Sequence, residues 1–194
     1  MRKREQAAPQ RAYADSPPRI RIAGEAVALR ELRWEDMGEM ERWPRFAEPE
    51  LQWANFDLKT PAQKEAWFRQ ELHDPSRKRF AITLDGRLIG VLGLRAIDYR
   101  QGRATLGIRL SAGEVGKGYG TDAIKALLAH AFGSMRLRHV DLDVAEDNGR
   151  ARRCYEKCGF RVVGRRRDYR GQVYIDMTIS AREFEAQRKG PLPS

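Results

Sequence analysis

Cysteine and histidine are scarce in this 194-residue chain, which has two of the first and three of the second. Cys154 and Cys158 stand four residues apart in a segment that reads as helix. That spacing implies no disulfide framework, and two thiols are too few for a zinc site. His73, His130 and His139 show no metal-ligand spacing and read as structural or surface residues. Long apolar runs are missing too. Nothing approaches the roughly 20 residues that span a bilayer, and the opening MRKREQAAPQRAYADSPPRI has no apolar leader core. No internal repeat occurs. These absences argue against a disulfide-stapled, metal-centred or membrane-spanning protein. The expectation is a reduced, cytoplasmic, single-domain protein with no membrane and no metal.

What is present is a globular composition, 41% apolar and 33% charged, with a formal net charge of +10. The length suffices for a core without staples. The charge is uneven. Residues 1–24 are strongly basic, and RVVGRRRDYR (161–170) sets five arginines against Asp168 alone. Such an excess fits nucleic acid, anionic lipid or a phosphate-rich small ligand, or else a solvated surface, and composition does not choose.

Residues 1–24 contain Pro17-Pro18 and no hydrophobic period, so they read as a basic tail. A short strand follows at 27–33, then a helix over 34–46. Thr60 and Pro61 provide an N-cap and first helical position for a second helix that ends near His73. Two apolar runs flank Asp85-Gly86, a hairpin signal. ATLGIRL (104–110) alternates with Leu106, Ile108 and Leu110 on one face. Ala123, Ile124, Leu127, Leu128 and Ala131 give the next segment one buried helical face. A strand at 139–144, a helix at 148–158 stopped by Gly159, two strands joined through Arg170-Gly171, and a closing helix, AREFEAQRK, complete the order. The fold class is therefore α/β (α+β), with one mixed sheet and helices on its faces. The domain is placed at 25–188, with a short tail at 189–194.

Chemistry concentrates in VGKGYG (115–120), between the strand ending near Leu110 and the helix starting near Gly118. Backbone N–H groups at a helix start are unpaired and carry the positive end of the helix dipole. Glycines there let a phosphate approach closely; the alternative is a tight strand-to-helix turn. A Walker A loop fails because Lys117 is followed by Gly118. The dinucleotide fingerprint fails because position 121 is Thr, and because the loop follows a meander of strands.

A second segment, NGRARRCYEKCGF (148–160), lies about 30 residues on. Together the two resemble the GCN5-related N-acetyltransferase (GNAT) superfamily. Its coenzyme A loop reads roughly Arg/Gln-x-x-Gly-x-Gly/Ala and its later motif Asn-x-x-Ala-x-x-x-Tyr-Glu-Lys-x-Gly-Phe. The element order fits over about residues 25–182, and the ending is similar to the RimJ/RimL-like branch. Val115 departs from the pattern, standing where Arg or Gln is common.

The resemblance implies a GNAT fold, with a mostly antiparallel sheet of about six to seven strands and a splayed strand pair at the cofactor site. It implies acetyl-CoA and direct acetyl transfer to a primary amine through a ternary complex. The pantetheine arm would pair with the backbone of Ile108 and Leu110, and an N–H near Leu110 would serve as oxyanion donor. Val115, Gly116, Lys117, Gly118, Tyr119, Gly120 and Thr121 would form the pyrophosphate loop. Ala151 lies in the second cofactor motif. Asn148 would contact the cofactor or only cap its helix. Arg153 and Lys157 would meet remaining phosphates or form a solvated face. Tyr155 would be the general acid or a core aromatic. No Glu occupies the strand before the loop, where many relatives place a base. Glu31, Asp98, Asp141 and Asp143 remain candidates, and none is singled out.

Aromatics crowd the segment before the sheet, so Trp43, Phe46, Trp53 and Phe56 either line the acceptor pocket or pack helices on the sheet. A protein N-terminus, a ribosomal protein among them, or a small amine is the expected acceptor, with polyamines ranked lower because a basic surface repels them. The chain would act as monomer or homodimer. The alternatives are a CoA-binding protein without turnover and a ribosome- or nucleic-acid-associated module. No helix-turn-helix, RNA-recognition or zinc-finger pattern supports the latter.

Overall fold

The computed structural model describes residues 20–48, 51–52, 55–57 and 60–189. Eight strands form one sheet among them: β1 (Arg21–Ala23), β2 (Ala28–Glu31), β3 (Lys78–Leu84), β4 (Arg87–Asp98), β5 (Arg103–Leu110), β6 (His139–Ala145), β7 (Arg161–Arg167) and β8 (Val173–Ser180). The spatial order is β1-β2-β3-β4-β5-β6-β8-β7. Every pairing is antiparallel except β5 with β6. Five helices join them: α1 (Asp36–Glu41), α2 (Pro61–His73), α3 (Tyr119–Gly133), α4 (Gly149–Lys157) and α5 (Ala181–Lys189).

Local signals account for most of these boundaries. Thr60 accepts from the Gln63 N–H while the Gln63 side chain accepts from the Thr60 N–H, a reciprocal cap at the start of α2. Asp85 and Gly86 both take positive φ, 49° and 82°, as a two-residue hairpin between twisted strands requires. Helix α1 is shorter than the 34–46 span expected. Asp36 takes the Arg33 N–H at 2.7 Å and both arms of Arg30, and Pro44 disfavours helical backbone at Trp43. The eighth strand, β1, falls within the segment expected as tail. Three residues are too few to show a period, yet they pair with Ala28–Arg30. Residues 1–19 and 190–194 lie outside the described residues.

The sheet buries both faces over its first half. The larger cluster, including Leu92, Leu106, Ile124, Leu127 and Phe160, fills the space under α3 and α4. The smaller, including Met37, Met40, Phe68 and Val91, lies under α1 and α2. Each fully buried Leu, Ile or Phe contributes about 1.5–3 kcal/mol relative to exposure.

One carboxylate holds the start of α3 to the first strands. Asp122 accepts from the N–H groups of Glu25, Ala26 and Val27 at 2.8, 2.8 and 2.9 Å. Asp122→Ala is expected to cost about 2 kcal/mol, the scale of hydrogen bonds to a charged group; urea unfolding with an unchanged midpoint would refute this anchor.

A second such device opens α5. Glu183 accepts from the Ser180 hydroxyl at 2.6 Å, the Ser180 N–H at 2.7 Å and Arg161 at 2.8 Å. These bonds, led by the Ser180 hydroxyl, hold its pKa at about 2 against an ordinary 4.5. A carboxyl more acidic in the folded state adds stability above its unfolded pKa and loses it as pH falls through the folded one. The melting-temperature gap between wild type and Glu183→Ala should therefore be widest near neutrality and close between about pH 4.5 and about 2. A gap that does not change over that range would contradict the assignment.

Candidate active site

The parallel partners β5 and β6 stay together for only three residues, Arg103–Thr105 against His139–Asp141. Beyond that point they diverge. The Ser111 N–H donates to the Ile89 carbonyl on β4 at 2.9 Å. Since peptide groups alternate sides along a strand, those of Ile108 and Leu110 point the other way, into the gap. A cleft of about 740 Å³ opens there, within the range of small-molecule sites.

Its lining unites the two sequence segments. Ile108, Leu110, Val115, Gly116, Gly118, Gly120, Thr121, Asn148, Ala151, Arg153, Tyr155 and Lys157 all contribute, with Phe46 and Leu51 as an apolar wall. Two expected loop residues do not line it. Lys117 pairs with Glu114 at 3.0 Å, and Tyr119 packs against the larger core cluster.

The glycines have separate tasks. Gly116 and Gly118 take φ of 81° and 89°, and a Cβ at either would meet nothing within 4 Å, so backbone conformation and open space coincide. No side chain caps α3, whose N-cap is Gly118. Gly120 differs, because a Cβ there would sit in ordinary contact, 3.4 Å from Leu110 and 3.7 Å from the Cys154 sulfur. An uncapped helix start with bared amides suits a pyrophosphate.

Helix α4 supplies the opposite wall. Asn148 caps it by accepting from the Ala151 N–H at 3.0 Å. Tyr155 is 8% exposed, packs edge-on to Phe160 at 6.0 Å, and lines the cleft. Burial, then the neighbouring Cys154, pushes its phenol pKa above the ordinary range, so it stays protonated. Cys154 also lines the cleft. The neighbouring buried Cys158, with help from the Thr121 hydroxyl at 3.3 Å, lowers its pKa from the ordinary thiol value. Cys154 and burial raise that of Cys158, whose thiol donates to the Thr121 carbonyl at 3.6 Å.

Among the candidate bases, Asp143 alone lines the cleft, and its oxygens are engaged by Arg95 at 3.0 Å and Arg166 at 3.5 Å. Asp141 is held by Arg103 and the Thr178 hydroxyl, and Asp98 closes a turn on the Arg100 and Gln101 N–H groups. Glu31 lies on β2, away from the lining. Of the aromatic residues, Phe46 reaches the cleft. Trp43 and Phe56 pack against the smaller core cluster and share with Phe46 a separate pocket of about 20 Å³. Trp53 lies outside the described residues.

Sequence reasoning missed Arg95, Asp147, Arg150, Gln172 and Tyr174 as lining residues. Tyr174 pairs across from Ala145 at the open end of β6, and only the β6–β8 register could have revealed it. Among the described residues no helix is long and apolar enough to cross a membrane, and no cluster of His, Cys, Asp and Glu could hold a metal.

Comparison with known proteins agrees with this geometry. Residues 27–161 match the acetyltransferase (GNAT) domain family. A spermidine N(1)-acetyltransferase of Escherichia coli (strain K12) is 28% identical over 173 residues, spanning 86% of this chain and 92% of that protein. The crystal structure of a spermidine N-acetyltransferase from Vibrio cholerae in complex with CoA and spermine superposes with a TM-score of 0.72 at 24% identity, covering 83% of this chain and 99% of that one. RimJ from Mycobacterium smegmatis in complex with CoA-disulfide gives 0.68 at 20%, covering 86% and 88%. With the splayed strands, the glycine-opened helix and the family match over 27–161, the chain belongs to the GNAT acetyltransferases, enzymes that take their acetyl group from acetyl-CoA.

Proposed function

We propose that the protein acetylates a primary amine, on a small molecule or a protein N-terminus, by direct transfer with both substrates in the cleft. The observation that carries this reading is the gap between β5 and β6. It brings unpaired backbone, the glycine loop and Tyr155 into one space.

Acetyl-CoA supplies an acetyl group activated as a thioester, whose carbon–sulfur bond breaks as the carbon–nitrogen bond forms. The N–H groups at the start of α3 hold the pyrophosphate, aided by the open space beside Gly116 and Gly118. Ile108 and Leu110 offer backbone to the pantetheine arm, and the Leu110 N–H polarises the thioester carbonyl. Arg153 and Lys157, both exposed on α4, steady the outer phosphates. The Tyr155 hydroxyl keeps its proton for the departing sulfur. A phenol is ordinarily a weaker acid than a thiol, but burial raises the proton affinity of a departing thiolate as it raises that of Tyr155. The amine sheds its proton to solvent, because Asp143 is already occupied by two arginines.

A nucleic-acid role loses its main support on the described surface. Arg161, Arg165 and Arg166 pair with Glu183, Glu146 and Asp176, while Arg167 donates to the Gly171 carbonyl.

Two measurements test the reading. Free-thiol release from acetyl-CoA in the presence of an amine panel should fall about 10²-fold or more in kcat for Tyr155→Phe, the lower range of general-acid contributions, with CoA affinity nearly unchanged. Single-turnover rates that do not differ would remove the acid role. Alkylation of Cys154 by iodoacetamide at neutral pH should be faster than that of an ordinary thiol and slow when CoA is bound, with Cys158 spared. Peptide mass spectrometry showing no protection by CoA would place the cofactor away from α4.

A further inference from the structure

The cations lining the cleft divide by element. Arg150, Arg153 and Lys157 stand on α4, beside the proposed phosphate path. On the sheet the lining cations are Arg95 and Arg109. Asp143 neutralises Arg95 at 3.0 Å. Arg109 is half-buried, and among the described residues no carboxylate or carbonyl accepts a hydrogen bond from it. Its acidic neighbourhood is committed elsewhere. Asp57 is near enough to favour the charge but holds Arg45 with bonds of 2.9 and 3.2 Å. The neighbouring cation Arg79 is itself held by Glu71 at 3.1 Å. Arg79 in turn presses a like charge on Arg109, and burial together with that repulsion lowers the Arg109 pKa from its ordinary value. A half-buried charge that the fold leaves unpaired is costly, and a ligand of opposite sign relieves it.

Its placement is equally specific. Ile108 and Leu110 pack with the larger cluster under α3, so Gly107 and Arg109 occupy the other sheet face. Arg109 pairs across from Val91, which belongs to the cluster under α1 and α2. Gly107 adds room, since a Cβ there would meet nothing within 4 Å. Arg109 thus forms part of the cleft floor one residue from the proposed carbonyl-binding N–H of Leu110. Asp147, exposed just before α4, is the lining carboxylate without a cation partner among the described residues. A cation on the floor and a carboxylate at the rim fit a molecule that bears both an anion and an amine.

We infer that the acceptor amine carries an oxyanion, carboxylate or phosphate, which the forked guanidinium of Arg109 binds while the amine reaches the open end of β5. A chain of ammonium groups such as spermidine brings the wrong sign to this floor. The inference rests on the acetyl-transfer reading of the same cleft.

The test compares matched acceptors by thiol release. Lysine is set against cadaverine, ornithine against putrescine, and glucosamine 6-phosphate against glucosamine, with spermidine included. At least one anion-bearing member should exceed its partner and spermidine by tenfold or more in kcat/KM, and which pair does so distinguishes carboxylate from phosphate. Arg109→Gln should raise KM for that acceptor about tenfold and collapse the ratio, with KM for acetyl-CoA unmoved. Arg109→Met repeats the test in a shape-conserving form, and CoA affinity confirms folding for both. Wild-type preference for spermidine or the decarboxylated amines, or a ratio that Arg109→Gln leaves intact, overturns the inference. Failure of the transfer reading looks different: no amine in the panel would then release free thiol from acetyl-CoA. Should no amine turn over, calorimetry of CoA-loaded protein with N-acetyl-lysine and N-acetylcadaverine decides the point. Selective binding of the carboxylate that Arg109→Gln abolishes supports it, and equal or no binding refutes it.

Discussion

A sheet that stops pairing partway along two central strands has to answer for the amides it leaves open. Between β5 and β6 the ladder ends at Thr105 and Asp141, yet both strands continue, to Leu110 and to Ala145. An unpaired peptide group away from water costs about what a lost hydrogen bond costs. The open groups must therefore meet water or a ligand. The rest of the molecule holds the two strands apart. β4 pairs with β5 as far as Leu110, and β8 pairs with β6 as far as Ala145, so each is fixed from its outer side and neither can close the gap. The helices then crown what the sheet leaves open, α3 at the end of β5 and α4 at the end of β6.

The position of α3 follows from constraints at its first turn. Gly118 starts the helix with positive φ, Gly120 lies against Leu110, and Asp122 binds three amides of the β1–β2 turn. These contacts fix the helix start relative to the gap without covering its N-terminal amides. A side-chain cap would have satisfied those amides and removed the binding surface. The same economy appears in α4, where Asn148 caps the helix and lines the cleft at once.

How much of this could be read from residues alone depended on whether a feature was local. The reciprocal cap at Thr60, the Asp85-Gly86 hairpin and the buried stripe of α3 are set by neighbours within four residues, and each appears where the chain signals it. The glycine loop and the Tyr155 segment were legible because backbone conformation and a short motif mark them. Strand β1 was not, since three residues in a basic stretch gain their structure from pairing with β2. Nor was the sheet side of the cleft. Arg95, Asp143 and Tyr174 come from three strands, and only register brings them to one opening. The aromatic-rich segment offered two readings, and distance along the chain could not separate Phe46 at the cleft from Trp43 and Phe56 in the smaller core.

Net charge looks different once the pairs are drawn. The arginine run on β7 is largely matched by Glu183, Glu146 and Asp176. Around the cleft Arg109, Arg150, Arg153 and Lys157 have no carboxylate partner among the described residues. Positive charge focused in a cleft draws anions, and a cofactor with a pyrophosphate is one such anion. In the reading proposed above the α4 cations serve that anion, which leaves Arg109 on the sheet side of the opening. Two enzymes can therefore share a scaffold and a thioester donor yet differ in acceptor: in the reading proposed above, backbone amides hold the donor and side chains on one sheet face select the acceptor. Similarity to spermidine acetyltransferases bears on the first of these more strongly than on the second, since at 28% identity a shared backbone leaves the side chains of one sheet face free to differ.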